Sequence, residues 1–231
     1  MQDDTYIKNL TRRDYIAKAY EIVLNEGVEA VSIRRLAREL GCSSTSLYRH
    51  FANLKELIFY VQIGFLKEYV EELQNHETRW KNVWDMYIGI WECFSRQAFK
   101  EPKAFDCLFF GEQKDKLPQA LREYYKMFPE GIQILSEHLQ FMLQEGTFAK
   151  RDYFIALRCV EAGVISLENA KNLNKMCVYC FKGVFKGVLD EDPEDIEALV
   201  EEVVHCVTDA IRMYASDLLN VKITQGENDQ T

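Results

Sequence analysis

The sequence predicts an all-α protein with a small N-terminal head and a larger body. Apolar residues recur at spacings of three and four from end to end, which is the period of amphipathic helices. Alternating runs of branched and aromatic residues, which are typical of strands, are nearly absent. Only 11 Gly and 4 Pro occur among 231 residues, and 48% of the residues are hydrophobic, so the chain can form long helices around a core.

Three short helices are predicted at the start of the chain. Gly27 lies where a left-handed cap would end the first helix. The second extends from Ser32, whose hydroxyl can cap it, to about residue 40, and Gly41 stops it. The third covers about 44–51. The apolar face of the first helix consists of Ile16, Tyr20, Val23 and Leu24.

Longer helical stretches follow at about 53–76, 79–100, a short piece after Pro102, 118–145, 152–172, 173–189 and 193–219. The last is the best specified, because Asp192 can cap it, Pro193 fits its first turn, and Glu194 and Asp195 face the positive end of its dipole. We expect a polar, frayed tail from Thr224. The change from short to long helices places a domain boundary between residues 52 and 53, so that 1–52 form the head and 53–231 the body.

The charge is distributed unevenly between these parts. The net charge of −9 disfavours a protein that coats nucleic acid with its whole surface. Residues 1–55 nevertheless carry nine basic and seven acidic side chains, so the acidic excess belongs to the body. The longest apolar stretch, 58–66, is too short to span a bilayer, and the start lacks the basic and apolar regions of a secretory signal. We expect a cytoplasmic protein without a membrane span.

Residues 31–55 have the pattern of a helix-turn-helix. Two short helices that cross steeply need a small residue at their contact, which Ala37 supplies, and the tight turn needs a positive φ, which Gly41 supplies. The residues from Ser43 to Ser46 open the following helix with short donors and acceptors that can reach bases and phosphates in a major groove. The inward positions of the two helices are Leu36, Leu40, Cys42 and Leu47.

This segment resembles the TetR family of transcriptional regulators. The resemblance depends on Gly41-Cys42-Ser43, on the run Leu47-Tyr48-Arg49-His50-Phe51, and on Leu57 six residues later. It covers about residues 10–60, and beyond them only the helical architecture agrees. It implies an N-terminal DNA-binding domain followed by an effector-binding and dimerisation domain.

The resemblance also implies which side chains contact DNA. Arg34 would contact a base, Ser32 a phosphate, and Tyr48 and His50 the phosphate backbone. One departure concerns Leu54, where the family commonly has Lys, although Lys55 follows directly. The complete set of predicted DNA-binding residues is Ser32, Arg34, Ser43, Ser44, Thr45, Ser46, Tyr48, Arg49, His50 and Lys55. Taken singly, each of these side chains is more often a core aromatic, a core histidine or a solvated charge, whereas the complete set at this spacing favours DNA binding.

Aromatic residues in the body share one helix face at spacings of four, three, four and three, from Trp80 to Phe94. Such stripes usually belong to the core. Because the TetR-like effector cavity lies within the helical body, the same residues could line it, and the implied effector is hydrophobic, aromatic or cationic. The candidate pocket residues are Trp80, Trp84, Tyr87, Trp91, Phe109, Tyr124 and Phe128.

The resemblance implies a homodimer on a near-palindromic operator whose half-sites lie about 34–36 Å apart. The helices at about 152–172 and 193–219 would pair with their mates, and a small-molecule effector would change the separation of the two heads. We expect a repressor. The candidate interface residues are Val200, Val203, Val204, Val207 and Ile211.

Other interpretations remain open. Cys177 and Cys180 have redox or zinc spacing, so a thiol-based sensor is an alternative, although two thiols one turn apart are more often simply buried. We find no catalytic constellation and predict no enzyme, cofactor or metal site. A helical enzyme or small-molecule binding protein, with the head as a lid, and an adaptor that binds a different protein are the remaining alternatives.

Overall fold

The computed structural model describes residues 10–129, 135–191 and 193–215, and all regular elements in these ranges are helices. The fold-class prediction is confirmed. The helices are α1 (Arg12–Glu26), α2 (Ile33–Leu40), α3 (Ser44–Leu47), α4 (Leu54–Ile63), α5 (Leu66–Glu77), α6 (Val83–Lys100), α7 (Pro102–Phe109), α8 (Leu117–Met127), α9 (Glu137–Gln144), α10 (Phe148–Glu161), α11 (Leu167–Asp190) and α12 (Ile196–Tyr214). None of them is both long and apolar enough to cross a bilayer.

Ser32 and Gly41 act as predicted, whereas the predicted left-handed cap at Gly27 is wrong. Ser32 Oγ accepts a hydrogen bond from the backbone N–H of Arg35 at 3.3 Å and so caps α2. Gly41 ends α2 in the left-handed region with φ 68°. Gly27 ends α1 with a positive φ of 84°, but its ψ of 165° lies outside the left-handed helical region.

Two details of the head differ from the predictions. The buried face of α1 is formed by Tyr15, Ile16, Ala19 and Ile22, while Leu24 is 58% exposed, so its assignment to the apolar face was wrong. The buried face of α1 is therefore shifted by about one residue towards the N-terminus relative to the predicted face. This side of α1 packs against α2 and α4. The third helix is also shorter than predicted, because α3 ends at Leu47 and residues 48–50 form turns.

The predicted helix 53–76 breaks between α4 and α5. A Cβ built on Gly64 would lie only 2.7 Å from a ring carbon of Tyr20, so α1 approaches the break as closely as a glycine permits. The Tyr20 ring also meets the Phe65 ring edge-on, with centroids 5.3 Å apart. The break therefore joins the first helix of the head to the start of the body.

The boundaries of the later helices also differ from the predictions. The predicted helix 118–145 is divided into α8 and α9, and residues 130–134 between them lie outside the described ranges. The predicted break at 172–173 falls inside α11. The chain breaks instead at Gly163, which has φ 74°, and Ser166 caps α11.

The last helix begins later than predicted. Asp195 Oδ1 accepts from the backbone N–H of Ala198 at 3.1 Å and caps α12, so the cap is not Asp192, which lies outside the described residues. The predicted tail from Thr224 lies outside them as well.

A continuous apolar core extends from Tyr15 in α1 to Ile211 in α12. The helix α6 is central to it, because α5, α7, α10, α11 and α12 all pack against α6. The predicted domain boundary at 52–53 falls in the turn before α4, where Asn53 Oδ1 accepts from the backbone N–H of Glu56 at 2.9 Å. That boundary remains a prediction.

Candidate nucleic-acid interface and ligand cavity

The inner side of α3 is held against α1. Tyr15 donates its hydroxyl to Ser46 Oγ at 2.8 Å, and its ring lies 5.4 Å from the ring of His50. Leu47 is only 2% exposed. These contacts orient the short helix, so that its other side is presented to solvent.

The predicted DNA-binding residues lie mainly at the surface of the head. Ser46 and His50 are half-buried by their contacts with α1. Tyr48 is 55% exposed, which is unusual for an aromatic residue in this chain. The exposed members are Ser32, Arg34, Ser43, Ser44, Thr45, Tyr48, Arg49 and Lys55, which we call the recognition face.

The cations of the recognition face are available for an anionic partner. In the described part of the chain, Arg34, Arg49 and Lys55 form no ion pair, whereas Arg35 pairs with Glu26 and Glu39. Arg35 donates to both carboxylates, and these hydrogen bonds raise its pKa, the bonds to Glu26 more than that to Glu39. Two neighbouring arginines of α2 therefore differ, because Arg35 is held in ion pairs while Arg34 is exposed and forms none in the described ranges.

Arg38 is a further candidate that was absent from the predicted set. It is exposed, forms no ion pair within the described ranges, and lies one helical turn after Arg34 on α2. The i, i+4 spacing from Arg34 was the available signal.

A polar bridge from head to body was likewise not predicted. The Arg12 guanidinium lies 4.7 Å from the Phe51 ring centroid and 4.4 Å from that of Tyr60. It also pairs with Glu56 at 3.0 Å and Glu123 at 3.4 Å, and Tyr60 donates its hydroxyl to Glu123. Burial is the main cause that raises the pKa of Tyr60 to about 12, with Glu123 adding to it. Because Glu123 lies on α8, this cluster connects α1 to the body.

The body contains a small internal cavity of about 30 Å³, which has room for about two water molecules. Most of its wall is apolar, but two charged side chains, Arg151 and Asp152, also line it. The apolar lining residues are Tyr69, Ile90, Trp91, Phe94, Met142, Phe148 and Ile155.

Asp152 is a buried acceptor at the edge of this cavity. It accepts from Trp91 Nε1 at 2.9 Å, from the Tyr87 hydroxyl at 3.1 Å and from Asn174 Nδ2 at 2.7 Å. These hydrogen bonds favour the carboxylate, but burial outweighs them and raises the pKa of Asp152 to about 7. Asp152 can therefore change charge near neutral pH.

Arg151 is a buried cation without a counter-ion in the described ranges. It donates to the backbone carbonyls of Leu143 and Glu145 at 2.5 and 3.3 Å, and its guanidinium lies 4.8 Å from the Phe109 ring centroid. Burial lowers its pKa to about 10, so it stays charged at neutral pH. The charge of this guanidinium is therefore available for a charge-assisted hydrogen bond with an anionic group.

A larger groove adjoins the cavity. It measures about 420 Å³ and shares Phe148 with the cavity, so this ring lies between the two spaces. Three lysines and one acid contribute charge to its wall, namely Lys114, Lys182, Lys186 and Asp106, and its other residues are Phe109, Phe110, Thr147, Ala149, Phe185 and Leu189.

The predicted pocket residues divide among several places. Trp91 lines the cavity and Phe109 the groove, while Trp84 and Tyr87 are buried in the core beside them. Tyr124 and Phe128 line a separate cleft between α1, the α4–α5 break and α8. Trp80 is half-buried and packs against Gly89.

Arg151 and Asp152 were not predicted, although the sequence contains a signal for them. Helical periodicity places both on the same face of α10 as Phe148, Ile155 and Cys159, which are all buried. Two charged residues on an apolar helix face indicate a buried polar site.

The predicted dimer residues contribute largely to the core of their own chain. Val200, Val203, Val207 and Ile211 are at most 2% exposed, because α12 packs against α6 and α11. Their assignment to a partner-facing surface is corrected accordingly. Val204 is half-buried, and its assignment remains a prediction.

The two thiols with redox spacing lie in different surroundings on α11. Cys177 is buried, and its pKa is raised by burial and then by Asp152. Cys180 is half-buried, and it adds to the effect of burial, which raises the pKa of Cys206 of α12. All seven cysteines are free thiols.

Comparison with known proteins agrees with the geometry of the head. Residues 16–61 match the family described as bacterial regulatory proteins, tetR family. An HTH-type transcriptional regulator of Staphylococcus aureus (strain bovine RF122 / ET3-1) is 35% identical over 86 residues, which are 37% of this chain and 42% of that protein. Another, from Staphylococcus aureus (strain USA300), is 44% identical over 43 residues, which are 19% and 23% of the two chains. The chain thus spans less than half the length of these curated relatives.

A solved structure, described as a protein with unknown function from Rhodococcus sp. RHA1, is similar along almost the whole chain. The TM-score is 0.55 at 17% identity, over 93% of this chain and 100% of that one, which supports the helical fold beyond the head. The helix-turn-helix of α2 and α3 lies within the residues that match the family model, so the head of this chain is similar to the tetR family of bacterial regulatory proteins.

Proposed function

We propose that the chain is a cytoplasmic transcriptional repressor, and not an enzyme, that binds a near-palindromic operator as a homodimer and responds to a small effector. One observation supports the DNA-binding role above all. The recognition face presents Arg34 of α2, Arg49 of the turn after α3 and Lys55 of α4 without ion pairs in the described ranges. The helix α1 holds these elements from the inner side, because it packs against α2 and α4 and Tyr15 donates to Ser46 of α3. Exposed cations beside short hydroxyl side chains are suited to phosphates and base edges.

Selection of genomic fragments with the purified protein first identifies the operator. Titration of this DNA at fixed salt then measures the affinity of the wild-type protein and of its variants. We expect Tyr48→Ala to weaken binding to all sequences, because its position is assigned to the phosphate backbone. Arg34→Ala should cost about 1–3 kcal/mol and also relax base preference. Arg79→Ala is the matched control, because Arg79 is exposed and forms no ion pair within the described residues but follows α5 in the body. Unchanged affinity in both head variants would contradict the proposal.

Three exposed apolar side chains support a dimer formed by α11 and α12. Leu167, Tyr179 and Met213 are 49%, 69% and 65% exposed, and all lie on these two helices. Large exposed apolar side chains can serve as contacts in a protein–protein interface. In sedimentation experiments Tyr179→Glu should dissociate the dimer, while Phe141→Glu, at the similarly exposed Phe141 of α9, should not. A monomeric wild-type protein would contradict the proposed assembly.

For the effector we propose an anionic molecule with an apolar, aromatic part. It would enter the groove beside Phe110 and Phe185, displace the Phe148 ring and place its anionic group near Arg151. This assigns an anionic effector where the sequence alone suggested a hydrophobic, aromatic or cationic one. Binding of an anionic aromatic fluorophore should weaken in Arg151→Met, and equal binding by both proteins would contradict this assignment.

A further inference from the structure

Three side chains with metal-binding atoms converge between α5 and α6, outside the recognition face and not among the residues that line the cavity. Glu72 and His76 are one turn apart on α5, and Cys93 faces them from α6. His76 Nδ1 lies 3.1 Å from Cys93 Sγ. The carboxylate oxygen, ring nitrogen and sulfur all lie within 4.8 Å of one another, and within the described ranges no other three such groups come together.

The donor set fits a zinc-type ion. Zn²⁺ binds thiolate, imidazole and carboxylate, with Zn–N and Zn–S bonds of about 2.1 and 2.3 Å. At a tetrahedral angle these bonds place nitrogen and sulfur about 3.6 Å apart. His76 and Cys93 would have to separate by only about half an ångström from their 3.1 Å contact to admit the ion.

The surroundings of Glu72 support a bound cation. Arg96 hydrogen-bonds with Glu72 and also pairs with Glu92 at 2.8 Å and Glu197 at 2.9 Å. One guanidinium thus faces three carboxylates, which leaves an excess of negative charge at this place. Hydrogen bonds from outer residues to a ligating carboxylate are also usual in metal sites, because they fix its orientation.

A second and independent observation concerns Gln97, which is only 4% exposed. Its Nε2 donates to Glu72 at 2.5 Å, so the amide group lies at the cluster, yet its Oε1 has no hydrogen-bond partner in the described part of the chain. An unpaired buried acceptor is costly, and it indicates that a donor such as a metal-bound water belongs there.

We propose that Glu72, His76 and Cys93 bind one Zn²⁺ ion, with a water in the fourth position that donates to Gln97 Oε1. The ion replaces the thiol proton of Cys93, which leaves to solvent, and no electron transfer is involved. A metal site was not predicted from the sequence, because Cys93 lies 17 residues from His76.

Cobalt and zinc titrations of the metal-free full-length protein test the proposal. Co²⁺ bound to a thiolate gives a charge-transfer absorption band, and we expect it to saturate at one equivalent and to disappear when Zn²⁺ is added. Cys93→Ser should abolish the band, and His76→Gln should weaken Zn²⁺ binding at least about tenfold. Cys180→Ser is the matched control and should retain the band, since Cys180 lies beside Cys206 and not at this cluster.

Thermal unfolding distinguishes loss of the site from loss of the fold. Zn²⁺ should raise the midpoint of the wild-type protein and of Cys180→Ser, but not of Glu72→Gln or His76→Gln, because a ligand stabilises only the state that binds it. A folded wild-type protein without the cobalt band would overturn the proposal. So would a band that persists in Cys93→Ser and His76→Gln but is lost in Cys180→Ser.

Discussion

The head and the body place the same kinds of side chain in opposite surroundings. Tyr48 of the head is 55% exposed, whereas Tyr87 of the body is fully buried and donates to Asp152. Arg34 of the head is exposed, whereas Arg151 is buried among carbonyl groups and aromatic rings. In the head, the residues assigned to function lie outside the core. In the body, the residues assigned to ligand binding are part of the core, so function and stability depend on the same side chains.

The largest effect should follow from truncating a body aromatic. The Phe94 ring meets those of Tyr69, Phe105, Phe109, Phe148 and Phe181 at centroid distances of 5.6, 5.3, 5.1, 4.9 and 5.2 Å. Phe94→Ala should lower the free energy of unfolding by about 3–5 kcal/mol, because it leaves a cavity in this cluster. Denaturant unfolding measures the loss. Phe141→Ala, at an exposed position, is the control and should cost less than about 1 kcal/mol.

A smaller effect, which depends on pH, should appear at Asp152. Burial raises its pKa to about 7 from an ordinary value of 3.8, so the folded state binds the proton more tightly than the unfolded state. Its contribution to stability is present below about pH 4 and is lost as the pH rises through about 7. Relative to Asp152→Asn, the wild-type protein should lose up to about 4 kcal/mol of unfolding free energy between these limits.

Thermal unfolding of the wild-type protein and of Asp152→Asn from pH 5 to pH 8 measures how the difference in their stability changes with pH. The absolute stability of the variant also reflects altered hydrogen bonds to Trp91, Tyr87 and Asn174, so only the change of the difference with pH is diagnostic. A constant difference across the range would show that Asp152 titrates normally.

The smallest effect on stability should occur at Tyr48. Its side chain is exposed, so Tyr48→Ala should change the free energy of unfolding by no more than about 0.5 kcal/mol, even though it weakens DNA binding. Denaturant unfolding beside the DNA titration checks both parts. A loss comparable to that of Phe94→Ala would mean that the recognition face also supports the fold, and the contrast between head and body would disappear.

Local chemistry explains which features could be predicted from the sequence. Ser32 and Gly41 act through their own backbone neighbours, so the cap and the turn of the helix-turn-helix were predictable. The break at Gly64 was not, because it depends on Tyr20, which is 44 residues earlier in the chain and approaches only in the folded protein. Val203 shows a related limit, since an apolar stripe does not reveal whether its partner is the same chain or another.

The two polar groups of side chains in the body also differ in whether the sequence alone could reveal them. Helical periodicity alone places Arg151 and Asp152 on the buried face of α10, so the sequence contains enough information to predict this buried polar site. The group of Glu72, His76 and Cys93 requires knowledge of how α5 packs against α6, which no spacing along the chain provides.

The contact between Gly64 and Tyr20 has a mechanical consequence. Because not even a methyl group fits between the ring and the backbone, the start of α5 can approach α1 more closely only if the Tyr20 ring is displaced.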